Sequence, residues 1–395
     1  MPPSALSKRR TLLLSGLAFV AGVPAIRPTI AQATTPDTGT QGFQAVEALF
    51  QTAVKTGLTP GAVAAVGHQG KVVWTGVFGQ RAIVPAPEAM TWDTRFDMAS
   101  LTKALVTAPA LMQLRAQGLV ALDTPVWHYL PAFAANGKQD ITIRHLLTHY
   151  SGLPPDLPLD TPWQGRDTAI ALTMVCRPVT TPGTHFLYSD INFITLGLVI
   201  EKLSGQSLAN YATTHILAPL AMRHSCFTPS PHGAGPIAPT QFDENGMMLR
   251  GVVHDPTARR MGGVAGHAGL FSCADDLILY AQALLDRRAG LPSPFPLSTQ
   301  DVVLMSTPQQ PAGMHDLRGL GWDIATHYST PRGDYFPSNS FGHTGFTGTS
   351  LWLAPNTRSF VLILTNRVHP NGKGRVVQLR HDVASAAALA LQSMP

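Results

Sequence analysis

The sequence has few charged residues, few cysteines and no long apolar run outside its N-terminus. Of its 395 residues, 13% are charged and 45% are hydrophobic, a balance that excludes an intrinsically disordered protein. The cysteines Cys176, Cys226 and Cys273 form no C-x-x-C pair and have no ligand spacing with histidine, so they predict small buried side chains. Beyond the N-terminus no run of about 18 apolar residues occurs, which excludes a membrane span there.

Positive charge is concentrated at the N-terminus. The formal net charge is +5, but residues 1–33 contain Lys8, Arg9, Arg10 and Arg27 and no acidic residue. The remaining chain is therefore close to neutral, and it contains no long basic run and no basic patch interleaved with aromatic residues. Nucleic acid is not expected as a partner, because its recognition needs such a basic surface.

Residues 1–33 have the composition of an export signal. A basic segment at 8–10 precedes a short apolar stretch, and residues 31–33 (Ala-Gln-Ala) form a small-x-small cleavage site. The basic segment also fits a twin-arginine signal, which exports folded proteins, while ordinary secretion is the alternative. We therefore predict a periplasmic or secreted protein in which residues 34–42 form a flexible linker and residues 43–395 form the mature domain, with no transmembrane segment.

Apolar periodicity predicts similar elements at both ends of that domain. They are a helix at 43–56, strands at 62–66, 72–78, 349–353 and 360–364, and a helix at 376–392. Helical patterns and long loops dominate the middle of the chain. The economical fold is α/β (two-lobed α+β): an antiparallel sheet lobe from about 43–99 and 315–395 with flanking terminal helices, and an inserted helical lobe at about 100–314. The crevice between such lobes commonly holds an active site.

A serine and a lysine three positions apart open one of the predicted helices. In Ser100-Leu101-Thr102-Lys103 the serine and lysine share one helical face, so the amine can contact the hydroxyl. A serine is a weak nucleophile until a base takes its proton, and a lysine is that base only when its pKa falls through burial or a neighbouring cation. The spacing favours a nucleophilic serine, although S-x-x-K alone is a common pattern.

A tyrosine motif follows some ninety residues later. Tyr188-Ser189-Asp190 lies after a Pro-Gly turn and just before a predicted helix. A phenol beside Lys103 can carry a proton to a leaving group. Taken alone, the triplet is more typical of a loop tyrosine followed by a helix-capping aspartate, so a catalytic interpretation depends on the other motifs.

A third motif, His343-Thr344-Gly345, immediately precedes the first predicted C-terminal strand. A cationic or hydrogen-bonding side chain, a hydroxyl and a glycine at a strand edge suit recognition of a substrate carboxylate and carbonyl. Backbone N–H groups at such an edge can also stabilise an oxyanion, and the glycine lets a ligand approach the backbone closely.

Together, the order and context of the three motifs resemble the serine β-lactamase and penicillin-binding protein superfamily, in particular its branch of class C β-lactamases, DD-peptidases and family VIII esterases. The resemblance covers most of residues 43–390, with supporting stretches at 146–153, 266–272 and 319–322. It implies the β-lactamase/DD-peptidase-like fold and a serine hydrolase. We predict no metal and no cofactor.

The resemblance also implies roles for the motif residues. Ser100 is the acylated nucleophile, Lys103 is the acylation base and Tyr188 is a proton shuttle, although the division of work between lysine and tyrosine is open in this superfamily. Asp190 hydrogen-bonds Lys103 or the substrate. The branch usually has Asn where this chain has Asp190, and a carboxylate cannot donate to a substrate carbonyl as an amide does.

The implied substrate-binding residues lie around the third motif. His343 and Thr344 hold the substrate carboxylate beside Gly345, and the N–H groups of Ser100 and Phe346 form the oxyanion hole. Many β-lactamases have Lys in place of His343, whereas the His form is familiar among DD-peptidases. This departure favours peptidase, amidase or esterase activity over efficient β-lactamase activity.

We therefore predict an exported serine hydrolase that cleaves peptidoglycan-derived peptide or amide bonds through an acyl-enzyme, with esters or β-lactams as side substrates. The alternative is a penicillin- or muropeptide-binding protein without turnover. The sequence contains no H-E-x-x-H and no G-x-S-x-G, which disfavours a metal hydrolase and an α/β-hydrolase. A role of His254 and Asp255 in the cleft stays open, and the stretch that ends at His267 is interpreted as a glycine-rich lead-in to the next helix.

Overall fold

The computed structural model describes residues 42–230 and 235–394. The predicted export signal at 1–33 lies outside these residues, and so does the predicted linker at 34–42 apart from Gly42. Within the described ranges, no helix combines the length and the apolar character needed to cross a membrane.

The strands form two antiparallel sheets. The larger sheet has eight strands in the order β3-β2-β1-β11-β10-β9-β8-β7, and the smaller has the order β4-β6-β5. Strands of the first half of the chain are β1 (Gly61–His68), β2 (Lys71–Ala82), β3 (Glu88–Ala89), β4 (Phe96–Asp97) and β5 (Cys226–Phe227). Those of the second half are β6 (Leu270–Ser272), β7 (Leu317–Arg318), β8 (Asp323–Ala325), β9 (Phe341–Thr344), β10 (Ser350–Ala354) and β11 (Ser359–Thr365).

Helices α1 and α10 flank the sheet at the two chain ends, and the other α-helices lie between those ends. The α-helices are α1 (Gln44–Lys55), α2 (Ala108–Ala116), α3 (Ile143–Thr148), α4 (Arg166–Val175), α5 (Asp190–Ser204), α6 (Leu208–Ala212), α7 (Pro256–Arg260), α8 (Ala274–Arg288), α9 (Thr299–Met305) and α10 (Val377–Gln392). A π-helical turn, Lys103–Thr107, leads directly into α2. Such turns are frequent at functional sites.

Both faces of the large sheet are buried, which explains its apolar strands. Side chains alternate along a strand, so Val63 and Ala65 pack in the core shared with the helical region, while Ala62 and Val66 pack under α1 and α10. Phe50 of α1 is fully buried in the second core. The predicted fold class, a sheet flanked by the terminal helices with a helical insertion, is confirmed.

The sequence interpretation was wrong about the local setting of the third motif. His343 and Thr344 do not precede the first C-terminal strand but end β9, with Thr344 opposite Ser350 of β10. The four residues Phe-Gly-His-Thr are too short and too glycine-rich to show a strand pattern. The pairing of β9 with β8 is limited to Gly342 and Asp323, so the strand has an open edge at His343 and Thr344.

A glycine contact fixes the distance between the helical region and the segment before β6. An added Cβ on Gly266 would lie 2.0 Å from the Phe193 carbonyl oxygen of α5 and 3.0 Å from the Gly197 nitrogen of the same helix. The carbonyl of Gly266 accepts a 2.6 Å hydrogen bond from the Thr107 hydroxyl. This contact holds residue 267 against the π-helical turn that contains Lys103.

We expect Gly266→Ala to lower the free energy of unfolding by about 3 kcal/mol, because a methyl group cannot fit against backbone atoms without separating the two segments. The matched control is Gly205→Ala, where φ is +68° but the added Cβ meets nothing within 4 Å. Its cost should be about 1 kcal/mol, from the backbone conformation alone. Urea unfolding measures both values, and equal losses would contradict the proposed close contact.

Candidate active site

Ser100 is presented by a tight turn that follows β4. Ala99 has a φ of +47°, a left-handed conformation that is uncommon for a residue with a Cβ. The buried Asp97 carboxylate holds this turn, because it accepts the Ala99 N–H at 2.8 Å and the His254 N–H at 2.7 Å. Burial raises the pKa of Asp97 to about 6 despite these two hydrogen bonds. The strain is therefore located beside the serine, as is common at active sites.

The Lys103 ammonium lies next to this serine and is fully buried. Its Nζ is 3.0 Å from Ser100 Oγ, 3.0 Å from the carbonyl oxygen of His267 and 2.6 Å from Asp190 Oδ1. A lysine ammonium has three N–H donors, and these three acceptors surround it together with the Tyr188 side chain. The cage is therefore complete for the charged form of Lys103.

The sequence interpretation required a lowered pKa for Lys103, and the structure differs. Burial alone would lower it, but the Asp190 carboxylate and Tyr188 outweigh burial and raise the pKa of Lys103 above its ordinary value. Asp190, which replaces the Asn usual in the branch, is thus the counter-ion of Lys103. Lys103 is a cation in the free protein at neutral pH.

Tyr188 lies over this cation and is held by aromatic neighbours. Lys103 Nζ is 5.1 Å from the centre of the phenol ring. The His149 ring stacks on the Tyr188 ring, with 4.2 Å between the ring centres. Nδ1 of His149 accepts hydrogen bonds from the Ser189 N–H and the Asn192 side chain. Burial lowers the pKa of His149 well below its usual range, so a neutral imidazole supports the tyrosine.

A second charged pair lies behind the lysine. His267 Nε2 is 2.8 Å from Asp255 Oδ1, and the Asp255 carboxylate also accepts the Ala258 N–H as the cap of α7. Burial opposes the charge on His267, but Asp255 raises its pKa. The glycine-rich lead-in of the sequence analysis therefore carries a residue whose carbonyl contacts Lys103 and whose ring belongs to a buried ion pair.

Three side chains of this region could in principle hold a cation. Ligand atoms of Asp190, Asp255 and His267 lie within 4.8 Å of one another. However, the Asp190 oxygen contacts the Lys103 ammonium and the Asp255 oxygen contacts His267. A metal ion would have to displace a buried ammonium that already neutralises Asp190, so this donor set does not suit one.

His343 lies on the opposite wall and is neutral. Burial, followed by the charges of Arg318 and Lys103, lowers its pKa well below the usual range. Its Nδ1 is 2.9 Å from the carbonyl oxygen of Thr344, so Nδ1 carries the hydrogen and Nε2 is an acceptor. A neutral ring in this tautomer cannot donate from Nε2 to a carboxylate, which differs from the role that the resemblance implies.

The turn after β9 is held against the serine segment. Thr347 Oγ1 donates to the Asp97 carbonyl at 2.7 Å, and Arg380 of α10 donates to the carbonyls of Gly345 and Thr349 at 2.8 Å each. The N–H groups of Ser100 and Phe346 have no acceptor among the described residues. Two such donors on rigidly joined segments can bind an oxyanion.

These residues line one cleft of about 700 Å³. Ser100, Tyr188, His343, Thr344, Gly345 and Phe346 all contribute to its wall, and Lys103 and Asp190 lie directly behind it. Arg318 also lines the cleft, is almost completely buried and has two nitrogens, Nε and Nη2, without a partner among the described residues.

The structure thus brings every predicted site residue together and adds four that sequence reasoning missed: His149, His267, Arg318 and Arg380. His149 and His267 lie in stretches that supported the family resemblance, so the sequence pointed to these stretches. It did not indicate which groups the two histidines contact. Nothing in the sequence separated Arg318 or Arg380 from other arginines.

Comparison with known proteins gives matches over most of the chain. A model of the Beta-lactamase family matches residues 46–385. The N-acetylmuramyl-L-alanine amidase of Bacillus subtilis (strain 168) is 31% identical over 385 residues, which cover 87% of this chain and 85% of the amidase. An Escherichia coli (strain K12) protein, provisionally named a D-alanyl-D-alanine carboxypeptidase, is 29% identical over 317 residues, covering 73% of this chain and 72% of the relative.

Solved structures share the fold. EstCE1, described as a hydrolase with promiscuous acyltransferase activity, has a TM-score of 0.70 at 20% identity, covering 87% of this chain and 97% of its own. A class C β-lactamase has a TM-score of 0.70 at 20% identity, covering 91% of this chain and 98% of its own. The predicted resemblance is confirmed by the extent of the family match and by these relatives. The chain is an enzyme, a serine hydrolase, and it belongs to the Beta-lactamase family.

Proposed function

We propose that this protein is an exported hydrolase that forms an acyl-enzyme at Ser100 and cleaves a peptide or amide bond of peptidoglycan-derived material. The observation that carries the proposal is the complete acceptor cage around Lys103, which ties the Ser100 hydroxyl to a buried cation. The names of the two curated relatives, an N-acetylmuramyl-L-alanine amidase and a D-alanyl-D-alanine carboxypeptidase, support amide substrates of the cell wall.

In the proposed acylation step, Ser100 Oγ attacks the substrate carbonyl carbon and loses its proton. Lys103 already carries all its protons, so we assign proton acceptance to the Tyr188 oxygen, with the Lys103 cation stabilising the phenolate form that this role requires. Tyr188 then returns the proton to the leaving nitrogen when the carbon–nitrogen bond breaks. The lysine acts as a fixed charge, and the tyrosine moves the proton.

The developing negative charge on the carbonyl oxygen is assigned to the N–H groups of Ser100 and Phe346. Each hydrogen bond from such a preorganised donor contributes roughly 2.7–4 kcal/mol to a transition state. The turn that carries Phe346 is braced by Thr347 and Arg380, so these donors need little reorganisation when the oxyanion forms.

Recognition of a substrate carboxylate is assigned to the Thr344 hydroxyl and the Arg318 guanidinium. Both line the cleft beside Ser100. Arg318 Nη1 is 3.5 Å from Asp323, and its remaining unpartnered nitrogens leave hydrogen-bonding capacity. His343, as a neutral acceptor at Nε2, is assigned to a substrate N–H.

Export remains a proposal that depends on the sequence of residues 1–33 alone. It agrees with cell-wall substrates, because peptidoglycan and its fragments occur outside the cytoplasm. Hydrolysis of the acyl-enzyme by water completes the cycle, and esters serve as side substrates because an alkoxide or phenolate leaves more readily than an amine.

Intact-protein mass measurement after exposure to a penicillin or a fluorophosphonate tests the nucleophile. The unmodified chain should gain the mass of one penicillin molecule, whose ring opens without a leaving group, or of one fluorophosphonate molecule less hydrogen fluoride. Ser100→Ala should gain neither because it lacks the attacking oxygen. Ser393→Ala, which alters an exposed serine near the C-terminus, should react as the unmodified chain does. An adduct on Ser100→Ala would exclude Ser100 as the nucleophile.

A panel of p-nitrophenyl esters, D-Ala-D-Ala peptides, muropeptides and nitrocefin distinguishes turnover from binding. Continuous release of product from an ester or peptide is expected. A single burst equal to the protein concentration, followed by no further release, would favour the alternative of a penicillin- or muropeptide-binding protein that is acylated without turnover.

The pH profile of Asp190→Asn tests the role of Lys103. Without the carboxylate, only Tyr188 opposes the effect of burial, so we expect the pKa of Lys103 to fall. A group that must be protonated loses activity as pH rises through its pKa, so the alkaline limb of kcat/KM should move to lower pH by about one unit or more. Asp160→Asn, at an exposed carboxylate, should leave both limbs in place.

The opposite movement would contradict this assignment. If Lys103 acts as a neutral base, a lower pKa makes the active form available at lower pH, and the acid limb of kcat/KM moves down instead. Thermal unfolding of each variant separates these effects from a loss of folded protein.

A further inference from the structure

One part of the cleft wall lies beyond the residues assigned to catalysis. The cleft extends from Ser100 past Phe346 to the first turn of α10, where Val376, Val377 and Gln378 line it. Four arginines contribute to the whole cleft: Arg318, Arg367, Arg375 and Arg380. Its lining includes one acidic residue, Asp323, which is already close to Arg318 and accepts hydrogen bonds from Thr326 and Ser329.

The arginines near α10 have no carboxylate partner in the described part of the chain. Arg367 donates from Nη1 to the Gly374 carbonyl at 2.9 Å, and its guanidinium lies 4.4 Å from the centre of the Phe346 ring. Arg380 uses Nη2 for two backbone carbonyls, while its buried Nε has no partner. Arg375 is exposed, and its side chain makes no ion pair with a described residue.

Such an arrangement is costly without an anion. Burial lowers the pKa of Arg367, and burial followed by the charge of Arg367 lowers that of Arg380 to about 9. Like charges that share a cleft repel each other, and a bound anion relieves that repulsion. The cations thus lie close together without the acidic residue that would neutralise them.

The N-terminus of α10 adds a further positive end to the same wall. The helix is 16 residues long, its N-cap residue Val376 supplies no side-chain cap, and its first turn contains no acidic residue. Unpaired N–H groups and the helix dipole at this end favour a negative group. The exposed Phe346 ring, with 60% of its surface accessible, lies against the Arg367 guanidinium in the same cleft as this helix end.

We propose that Arg367, Arg375 and the N-terminus of α10 form a second anion subsite, which binds a carboxylate of the substrate remote from the scissile bond. The substrate class is then an acyl compound with an extra carboxylate, such as an acidic peptide, in addition to the carboxylate assigned to Thr344 and Arg318. This inference rests on the proposed function, because it takes bond cleavage at Ser100 as given. The extra carboxylate lies on the acyl part or on the leaving group.

Two pairs of small esters distinguish these sources. The acyl-side pair is 4-nitrophenyl hydrogen succinate and its methyl ester, and the leaving-group pair is 3-acetoxybenzoate and phenyl acetate. In the pair whose carboxylate reaches the subsite, the charged ester should have a KM lower than that of the neutral ester by on the order of tenfold. The reason is that hydrogen bonds to charged groups are stronger than those between neutral groups. The preference should decrease with added salt.

The variant Arg367→Gln/Arg375→Gln should lose this preference and retain kcat/KM for the neutral esters. The matched control, Arg177→Gln/Arg223→Gln, removes two exposed arginines outside the cleft lining and should keep the preference. Arg375→Gln alone changes only an exposed side chain, so it provides the same test if the double variant folds poorly. Affinity of the Ser100→Ala protein for the same pairs gives a reading without turnover.

Equal KM values for the charged and neutral members of both pairs would overturn the subsite, and so would a preference that survives in the double variant. A parallel loss of neutral-ester hydrolysis would also overturn it, because the arginines would then serve the fold or the catalytic step. Failure of the proposed function gives a different result: no cleavage of peptidoglycan peptides although the charged ester is still preferred.

Discussion

A buried ammonium is stable only when every N–H meets an acceptor, and this constraint organises the site around Lys103. Its three acceptors come from three separate segments: the serine turn after β4, the start of α5 and the segment before β6. Breaking a buried ion pair by removing one partner is strongly destabilising, because it leaves an uncompensated charge. The same requirement that stabilises the lysine therefore also positions the nucleophile.

The fold supplies these segments from distant parts of the chain. The large sheet joins both chain ends, with β1 between β2 and β11, and β9 delivers His343 and Thr344 at its open edge. The helical region delivers Tyr188 and Lys103. Tight backbone contacts, such as that of Gly266 with α5, set the distance between segments, so the geometry of the site depends on packing throughout the molecule.

Local features of the site could be predicted from the sequence. The Ser100 and Lys103 contact follows from helical spacing, and the terminal helices and longer strands follow from apolar periodicity. That the three motifs meet in one site was predicted from the family resemblance and not from their spacing along the chain. The charge state of Lys103 was not predictable, because it depends on a carboxylate far along the chain that outweighs burial. The neutral form of His343 and the contact of the His267 carbonyl with Lys103 were also missed, because they too depend on segments that are distant along the chain.

The two departures from the usual pattern of the branch have one electrostatic consequence. Asp190 in place of an amide, together with Tyr188, outweighs burial and raises the pKa of Lys103. His343 in place of a lysine removes a second cation from the opposite wall. Positive charge at that wall comes instead from Arg318 and from the arginines near α10. The cleft thus keeps one cation, Lys103, beside the reacting oxygen and has its other cations on arginines of the wall, which suits a substrate with carboxylates on its periphery.

The most direct test of this account is the protonation state of Lys103 itself. Nuclear magnetic resonance of the protein with ¹⁵N-labelled lysine, with the signal assigned by a Lys103→Met variant, follows the side chain through a pH titration. The account predicts an ammonium that persists beyond the ordinary lysine pKa of about 10.4. Titration to a neutral amine near neutral pH would contradict it and would return the role of base to Lys103.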